Sequence, residues 1–409
     1  MFTVVIGGGA AGMVAAYEAA ANGNRVLLLE KNEKLGKKIY ITGKGRGNVT
    51  NACDFDVFIS NVVRNPRFMY SSLKGFDQTA VMDLMESFGT RVKIERGQRV
   101  FPVSDHASDI TKALTKAMES VGVEIRLNTN VKEILPGFTV KTNKGSFKCD
   151  SVIVATGGLS YPSTGSTGDG YRFASDFGLE VLPQSPSLVS VHCEGDFNAL
   201  AGVSLKNIGL RVTRKDNGKK VNEGQGELLF THKGLSGPLI LSASAILSGM
   251  IDKNNKYIFS IDLKPGMSEE ELDKRILSEF EEKKNADLGN VMASMLINGI
   301  RQEVIERSGL STSKKARDIT RAERERLVKN IKSLEFTAFE SGGFEEAVVT
   351  KGGVSVKELN PKTMESKKVP GLYFAGEVVD VDAMTGGFNL QCAFSMGVAA
   401  GRNQAKEEF

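Results

Sequence analysis

The sequence predicts an α/β protein: a nucleotide-binding parallel sheet into which an antiparallel β module and a helical module are inserted. Three observations predict it. Thr3-Val4-Val5-Ile6 runs into Gly7-Gly8-Gly9-Ala10-Ala11-Gly12, an alanine-rich stretch follows to Ala21, and Arg25-Val26-Leu27-Leu28-Leu29 ends in Glu30. Two later apolar runs also break into glycine, Ser151-Val152-Ile153-Val154-Ala155-Thr156-Gly157-Gly158 and Gly371-Leu372-Tyr373-Phe374-Ala375-Gly376-Glu377. Between them the texture changes to short alternating segments and then to a charged helical stretch.

The opening unit has the chemistry of a dinucleotide site. Gly7 permits a sharp turn out of the first strand, Gly9 permits close backbone approach to a pyrophosphate, and Gly12 permits close packing of the helix on the sheet. Unpaired N–H groups at that helix start attract phosphate. Glu30, eighteen residues beyond Gly12, stands where a carboxylate accepts hydrogen bonds from an adenosine ribose. The unit alone fits NAD or FAD, and the two later strand-to-glycine breaks favour FAD. After Glu377 comes Thr385-Gly386-Gly387-Phe388-Asn389 and a helical stretch from Leu390 to about Lys406. Its N-terminal dipole would favour negative charge on a reduced flavin. Such a site joins the first thirty residues to the last forty.

The remaining elements follow in order. The glycine-rich loop Thr42 to Asn51 can wrap a flat or charged ligand, with Asn48, Thr50 and Asn51 tying it down and Lys44 and Arg46 available to an anionic group. Val123 to Leu127, Val131 to Ile134 and Phe138 to Thr142 read as strands. From 191 to 265, segments such as Gly209 to Thr213 and Tyr257 to Leu263 alternate as antiparallel strands, with a hairpin turn at Asp216-Asn217-Gly218. Residues 266–334 read as helical from a capped start at Ser268. Phe336 to Glu346 returns to the strand module. The expected organisation is 1–190 with 350–409 as the nucleotide-binding domain, 191–265 with 335–349 as a β-barrel-like insert, and 266–334 as a helical insert.

At 409 residues the chain is long enough for two or three domains. No run of about eighteen apolar residues could span a membrane, and the first residues are already strand and nucleotide turn rather than a cleavable leader. A cytoplasmic protein is expected. Cys53, Cys149, Cys193 and Cys392 lack CxxC or metal spacing, and the three histidines are scattered, so no metal site is expected. The net charge of +4 does not by itself imply nucleic acid. The helical insert is polarised, however: 301–332 carries ten bases against five acids. Read as a solvated face, this is ordinary pairing; read as a footprint, it makes RNA a candidate partner.

These residues resemble the YhiN/BaiN group of FAD-dependent oxidoreductases, which includes proteins described as aminoacetone oxidases. The resemblance covers nearly the whole chain. It rests on Gly7 to Gly12, Thr42-Gly43-Lys44-Gly45-Arg46-Gly47-Asn48-Val49-Thr50-Asn51, Gly97-Gln98-Arg99-Val100-Phe101-Pro102 and Ala155 to Gly158. It continues through Phe230-Thr231-His232-Lys233-Gly234-Leu235-Ser236-Gly237-Pro238, Gly352-Gly353-Val354, and Gly376-Glu377 to Gly386-Gly387-Phe388-Asn389-Leu390-Gln391. Family members often carry Cys where this chain has Gly47, so a mechanism that needs that thiol is not available here.

The resemblance implies a Rossmann-like FAD-binding domain of the two-dinucleotide-binding flavoprotein type. The cofactor-binding residues expected are Gly7, Gly9, Ala10, Ala11, Gly12, Glu30, Lys31, Lys38, Thr42, Gly43, Gly45, Arg46, Asn48, Val131 (against the adenine), Ala155, Thr156, Gly157, Gly376, Glu377, Asp380, Gly386, Gly387, Phe388 and Asn389. His232 and Tyr161 are the candidate catalytic groups, with Asp380 and Asp382 as further proton carriers. No second full GxGxxG unit appears, so NADH or NADPH, the expected electron donor, would dock transiently. The expected reaction is reduction of an activated C=C bond in a small molecule such as a steroid-like enone. Three alternatives stay open: an RNA-modifying reductase forming dihydrouridine in ribosomal RNA, an amine oxidase producing hydrogen peroxide, and a non-enzymatic FAD-stabilised RNA-binding protein.

Overall fold

In the computed structural model, which describes residues 1–403, the chain forms two compact units. One contains Met1–Ser187 and the segment from Gly343 onward, and the other is Leu188–Gly342. The first passage through unit one runs β1 (Phe2–Ile6), α1 (Ala10–Ala21), β2 (Arg25–Leu29), α2 (Ser108–Ser120), β3 (Glu124–Arg126), β4 (Ser151–Val154) and β5 (Val181–Ser187). β1, β2 and β4 are near-continuous apolar runs because both faces of a parallel sheet are covered. Val4, Val5, Leu28, Val152 and Ile153 are fully buried.

The strands of the second unit are β6 (Val191–Cys193), β7 (Ser204–Arg214), β8 (Lys220–Thr231), β9 (Gly234–Ser236), β10 (Tyr257–Asp262) and β11 (Leu334–Ser341), which close into a barrel in the order β6-β9-β8-β7-β10-β11. The period of two is plain in β10, where Tyr257, Phe259 and Ile261 point inward between half-buried neighbours. Phe197, Phe230 and Phe336 meet at centroid distances of 5.4 to 6.3 Å in its core. Between β10 and β11 lie α3 (Glu269–Glu282), α4 (Asn298–Arg307) and α5 (Arg321–Lys332). Both α3 and α5 open with capping boxes, Ser268 with Glu271 and Thr320 with Glu323. Leu272, Ile276, Val304, Leu327 and Ile331 join one apolar cluster with the barrel strands, so the helical stretch and the barrel share a core. The unit boundaries fall at 187/188 and 342/343, against the 190/191 and 349/350 read from the sequence.

The chain returns to unit one through β12 (Val349–Val354), β13 (Leu372–Phe374) and α6 (Phe388–Arg402). The expected end of this last helix near Lys406 lies outside the described residues. The parallel sheet has the order β13-β4-β1-β2-β3. Sequence order reverses on either side of β1, and in such sheets a ligand binds at the carboxyl ends of the strands where that reversal occurs.

After β2 the glycine-rich loop adopts repeated left-handed conformations, with φ of 61° at Gly43, 59° at Lys44, 85° at Gly45 and 77° at Gly47. A Cβ built on Gly47 would lie 2.6 Å from Ile110 Cδ1 and 2.8 Å from Ala107 Cα, against the start of α2. Glycine therefore lets the loop lie flat on that helix. Gly47→Cys is expected to lower stability by about 1–3 kcal/mol through the left-handed strain, with further loss from the contact. Urea unfolding would show this as a lower midpoint at unchanged slope.

Candidate functional site: a cleft at the switch point of the parallel sheet

A cleft opens at the carboxyl ends of β1, β2 and β4. The turn after β1 explains its shape. Gly7 has φ 104°, and a Cβ there would sit 2.4 Å from Ala155 O; a Cβ on Gly12 would sit 1.8 Å from Gly7 O. Both glycines are needed for contact within the protein. Gly9 is different, because a Cβ there would meet no protein atom within 4 Å, although the residue lines the cleft. Gly9 is also the N-cap of α1, which has no capping side chain and no acid in its first turn. α6 starts the same way, from Gly387 at φ 101° with no capping side chain and no acid, and its Asn389 and Leu390 line the cleft. Two helix N-termini thus present backbone donors and partial positive charge with neither a capping side chain nor an acid in the first turn.

Glu30 closes one wall. Its Oε2 accepts from Gly8 N–H at 2.7 Å and its Oε1 from Asn32 N–H and Nδ2 at 2.8 and 2.7 Å. Lys31 pairs with Asp169 at 2.8 Å across that wall. On another wall Lys38 Nζ donates to Glu377 Oε2 at 2.6 Å and to Ser160 Oγ, while Ser160 Oγ and Thr350 N–H donate to Glu377 Oε1.

Of the residues expected to hold a cofactor, Gly7, Gly9, Ala10, Ala11, Glu30, Lys31, Lys38, Thr42, Val131, Ala155, Thr156, Gly157, Gly376, Glu377 and Asn389 all line this cleft. Gly12, Gly386, Gly387 and Phe388 stand behind the wall: Gly387 packs against Thr50 O, Gly386 O accepts from Asn51 Nδ2, and Phe388 meets Phe58 edge-on. Gly43, Gly45, Arg46 and Asn48 are outside the lining, and Arg46 is held by Glu95 and Asp105 over the face of Phe101. Four of its five N–H donors are directed to those carboxylates, which hold the guanidinium charge and whose own pKa values it lowers together with Lys93.

Asp380 is likewise outside the lining. Its buried carboxylate pairs with Arg64 Nε at 3.0 Å and accepts from Asn65 Nδ2 and Gly352 N–H. Neither catalytic candidate lines the cleft. Tyr161 sits half-buried at φ 51° at the start of a short turn of helix, and His232 lies exposed on the tight β8–β9 hairpin of the barrel unit. Asp382 has the most perturbed carboxyl of the unit: burial pushes it from 3.8 up to about 6, against the lowering influence of Ser187, Arg64 and Lys351.

Residues that sequence reasoning missed include Asn32, Thr129, Asn130, Thr164, Gly165, Ser166 and Asp169. The run Ser163-Thr164-Gly165-Ser166-Thr167-Gly168-Asp169-Gly170, directly after Ala155 to Gly158, is the signal that could have found the last four. Cys392 and Met396 come from the inward face of α6, and burial raises the Cys392 thiol to about 12, which leaves it protonated and inert as a nucleophile. Among the described residues no group of His, Cys, Asp and Glu could hold a metal ion, and no helix is long and apolar enough to cross a membrane.

An open glycine cradle, two uncapped helix starts and an acid at the end of the second strand fit a dinucleotide carrying a pyrophosphate and a ribose. They define the class of a Rossmann-type dinucleotide-binding flavoprotein. Residues 1–403 match the HI0933-like protein Rossmann domain, and the chain belongs to that family of FAD-binding oxidoreductases. It is 32% identical over 411 residues to the ribosomal RNA dihydrouridine synthase of Escherichia coli, covering 98% of this chain and 97% of that protein. It is 30% identical over 409 residues to the 3-dehydro-bile acid delta(4,6)-reductase of Clostridium scindens, covering 98% of each. Among solved structures, the open conformation of a flavocytochrome c3 fumarate reductase aligns with 98% of this chain and 77% of its own, at 18% identity and a TM-score of 0.48.

Two outcomes follow from this geometry. Gly9→Val leaves the protein's own packing untouched but fills the approach to the cradle, so the purified variant is expected to fold with the melting profile of FAD-free wild type and to lose the yellow colour of bound FAD. Retention of full FAD absorbance would remove the phosphates from this turn. For Asp382 the sign is set by a folded pKa above the unfolded one: the native state binds the extra proton between pH 3.8 and about 6, so wild-type stability falls as pH rises through that window. Asp382→Asn lacks this loss, and its stability relative to wild type is expected to rise by up to about 3 kcal/mol between pH 4 and pH 7.5, measured by urea unfolding.

Proposed function

We propose that this protein is an FAD-dependent reductase that uses NADH or NADPH to saturate a carbon–carbon double bond conjugated with a carbonyl. The observation that carries the reading is the uncapped N-terminus of α6, whose Asn389 and Leu390 line the same cleft as the cradle of α1. Backbone donors and a helix dipole directed at a flavin stabilise the negative charge that reduction adds. FAD, held there, supplies the two-electron transfer. The chain's contribution is to bind and orient it: Glu30 for the ribose, Val131 beside the adenine, the Gly7 to Gly12 turn and Lys38 for the phosphate and ribityl region, and Asn389 at the helix start. Asn389 is itself fixed, accepting from Ala383 N–H at 2.8 Å and donating to Ala383 O at 2.7 Å.

The two relatives support the reaction class. Dihydrouridine differs from uridine by two hydrogens across a ring double bond conjugated with a carbonyl, and a delta(4,6)-reductase acts on double bonds. The second reading, an RNA-modifying reductase, is favoured by the 32% identity to the dihydrouridine synthase. It draws little from the helical stretch, where seven of the ten bases in 301–332 (Arg307, Lys314, Lys315, Arg317, Arg321, Arg324 and Lys332) pair with carboxylates.

Anaerobic mixing with NADH and NADPH is expected to bleach the flavin spectrum within seconds, and a steroid enone is expected to restore it. Restoration only by uridine-containing ribosomal RNA would select the RNA reading. Bleaching by a small amine, with no response to either nicotinamide and with peroxide formed in air, would overturn both readings in favour of an oxidase. A flavin that no donor reduces would mark it as structural.

A further inference from the structure

One wall of the cleft is a segment that follows β4 in the chain but touches the end of β2. Thr164, Gly165, Ser166 and Asp169 line the cleft, as do Lys31 and Asn32, the two residues that hold the segment. Asn32 Nδ2 donates to Thr164 O at 3.0 Å, and Lys31 Nζ donates to Thr167 Oγ1 at 2.5 Å and to Asp169 Oδ2 at 2.8 Å. The crossing is tight, since a Cβ on Gly165, which has φ 106°, would stand 2.5 Å from Asn32 Nδ2 and 3.3 Å from Lys31 Cε. On the other flank Ser166 packs on the turn after β4, where a Cβ on Gly157 would stand 2.9 Å from its Oγ.

β1 lies between β2 and β4 in the sheet. A segment in contact with the ends of both neighbours therefore spans about 10 Å, two strand spacings, across the carboxyl end of β1, where the Gly7 to Gly9 turn forms the cradle. It is anchored before and after the crossing: Tyr161 N–H donates to Phe344 O at 2.9 Å, Leu159 and Ser160 N–H donate to Thr350 Oγ1, and the helix Asp169–Asp176 begins at its far end. The contacts with Lys31 stand at the solvent edge, because the Lys31 and Asp169 side chains keep 25% and 30% exposure and Thr167 is exposed, whereas Ser166 and Glu30 are buried. Asn32 Nδ2 also donates to Glu30 Oε1 at 2.7 Å, so one amide joins the segment to the carboxylate assigned above to the ribose.

We propose that residues 163–169 are a strap across the adenosine half of bound FAD, clasped by the Lys31–Asp169 pair and by Asn32, and that the cofactor enters and leaves when this clasp opens. The strap needs FAD in this cleft but not the reaction proposed above. Gly165 and Gly168, at φ 106° and 81°, give its backbone two points where rotation carries no Cβ with it. Each contact of Lys31 with the strap joins protein to protein, so breaking it takes no donor or acceptor from the cofactor. Opening is a step on the paths in and out alike. Loss of the pair therefore speeds capture and release together and leaves affinity nearly unchanged, whereas loss of a direct cofactor contact would speed release alone. Asn32 is a positioning residue, holding Glu30 and the strap with the same side chain.

The test measures FAD exchange: dissociation from the loaded protein into excess radiolabelled FAD, and association as the quenching of FAD fluorescence by protein stripped of its flavin. Lys31→Met and Asp169→Asn should each raise both rates about three- to tenfold, the effect of one partly exposed ion pair, with the dissociation constant held within about twofold. The charge-exchanged double variant, Lys31→Asp with Asp169→Lys, should return both rates toward wild type. Added salt should speed exchange in wild type and leave the single variants unaffected. Wild-type exchange rates in both single variants would overturn the strap. Faster dissociation with no gain in association would overturn it too, because Lys31 would then be a direct ligand of the cofactor. Neither nicotinamide nor acceptor enters the measurement, so a flavin that no nicotinamide bleaches would refute the reductase reading separately and leave the exchange result standing.

Discussion

Close backbone contact at the carboxyl end of β1 is the constraint on which the unit depends. Ala155 O, the turn at Gly7 and the first turn of α1 occupy space that a single Cβ at Gly7 or Gly12 would fill. α1 is pressed equally closely from its other side, where Cβ atoms on Gly397 and Gly401 of α6 would stand 2.4 and 2.5 Å from Ala11 O and Ala15 O. α1 is mostly alanine and buried around much of its circumference, so its position comes from backbone proximity rather than from interlocking of large side chains. That clamp aims its N-terminus into the cleft. It also explains why the first and last helices of the chain belong to one unit.

What was legible in the sequence was what local spacing determines. The Gly7, Gly9 and Gly12 pattern, the acid at the end of β2, and the strand-to-glycine breaks at Ala155 and Ala375 each depend on a few consecutive residues, and the structure brings all but Gly12, which packs behind Gly7, to the lining of one cleft. Residues whose placement depends on distant partners were not legible. Arg46 looked available to an anionic ligand because its carboxylates, Glu95 and Asp105, arrive from 49 and 59 residues away. Asp380 shared a segment with Glu377, yet Arg64 and Asn65, more than three hundred residues earlier, claim it. The capped start at Ser268 marked where the helical stretch begins, but not that its apolar face completes the core of the barrel unit, nor that a second capping box opens a later helix at Thr320.

The helical stretch shows why a tally of charge is not a footprint. Pairs such as Arg324 with Asp273 and Lys332 with Asp262 direct cations toward their own unit, where the carboxylate comes from a different segment. Each exposed pair contributes at most about 1 kcal/mol to stability. Their larger effect is to reduce the number of cations free to displace counterions from a nucleic acid, which is the quantity that sets salt-dependent affinity.

Asp380 and Asp382 are two residues apart and equally buried, yet their surroundings give them different work. Asp380 is surrounded by donors from Asn65 and Gly352 and by the Arg64 guanidinium, so its charge is answered within the fold. Asp382 has a single hydroxyl donor and one buried oxygen with none, an arrangement that costs stability whenever the carboxylate is ionised. That cost is borne in the short segment between Glu377 and α6, whose neighbours Val381 and Asn389 line the cleft. A purely structural anion at this point would be better served by the donors Asp380 has. Burial without matching donors therefore wins over the nearby Arg64 and Lys351 charges and raises the Asp382 carboxyl above the usual carboxylate range.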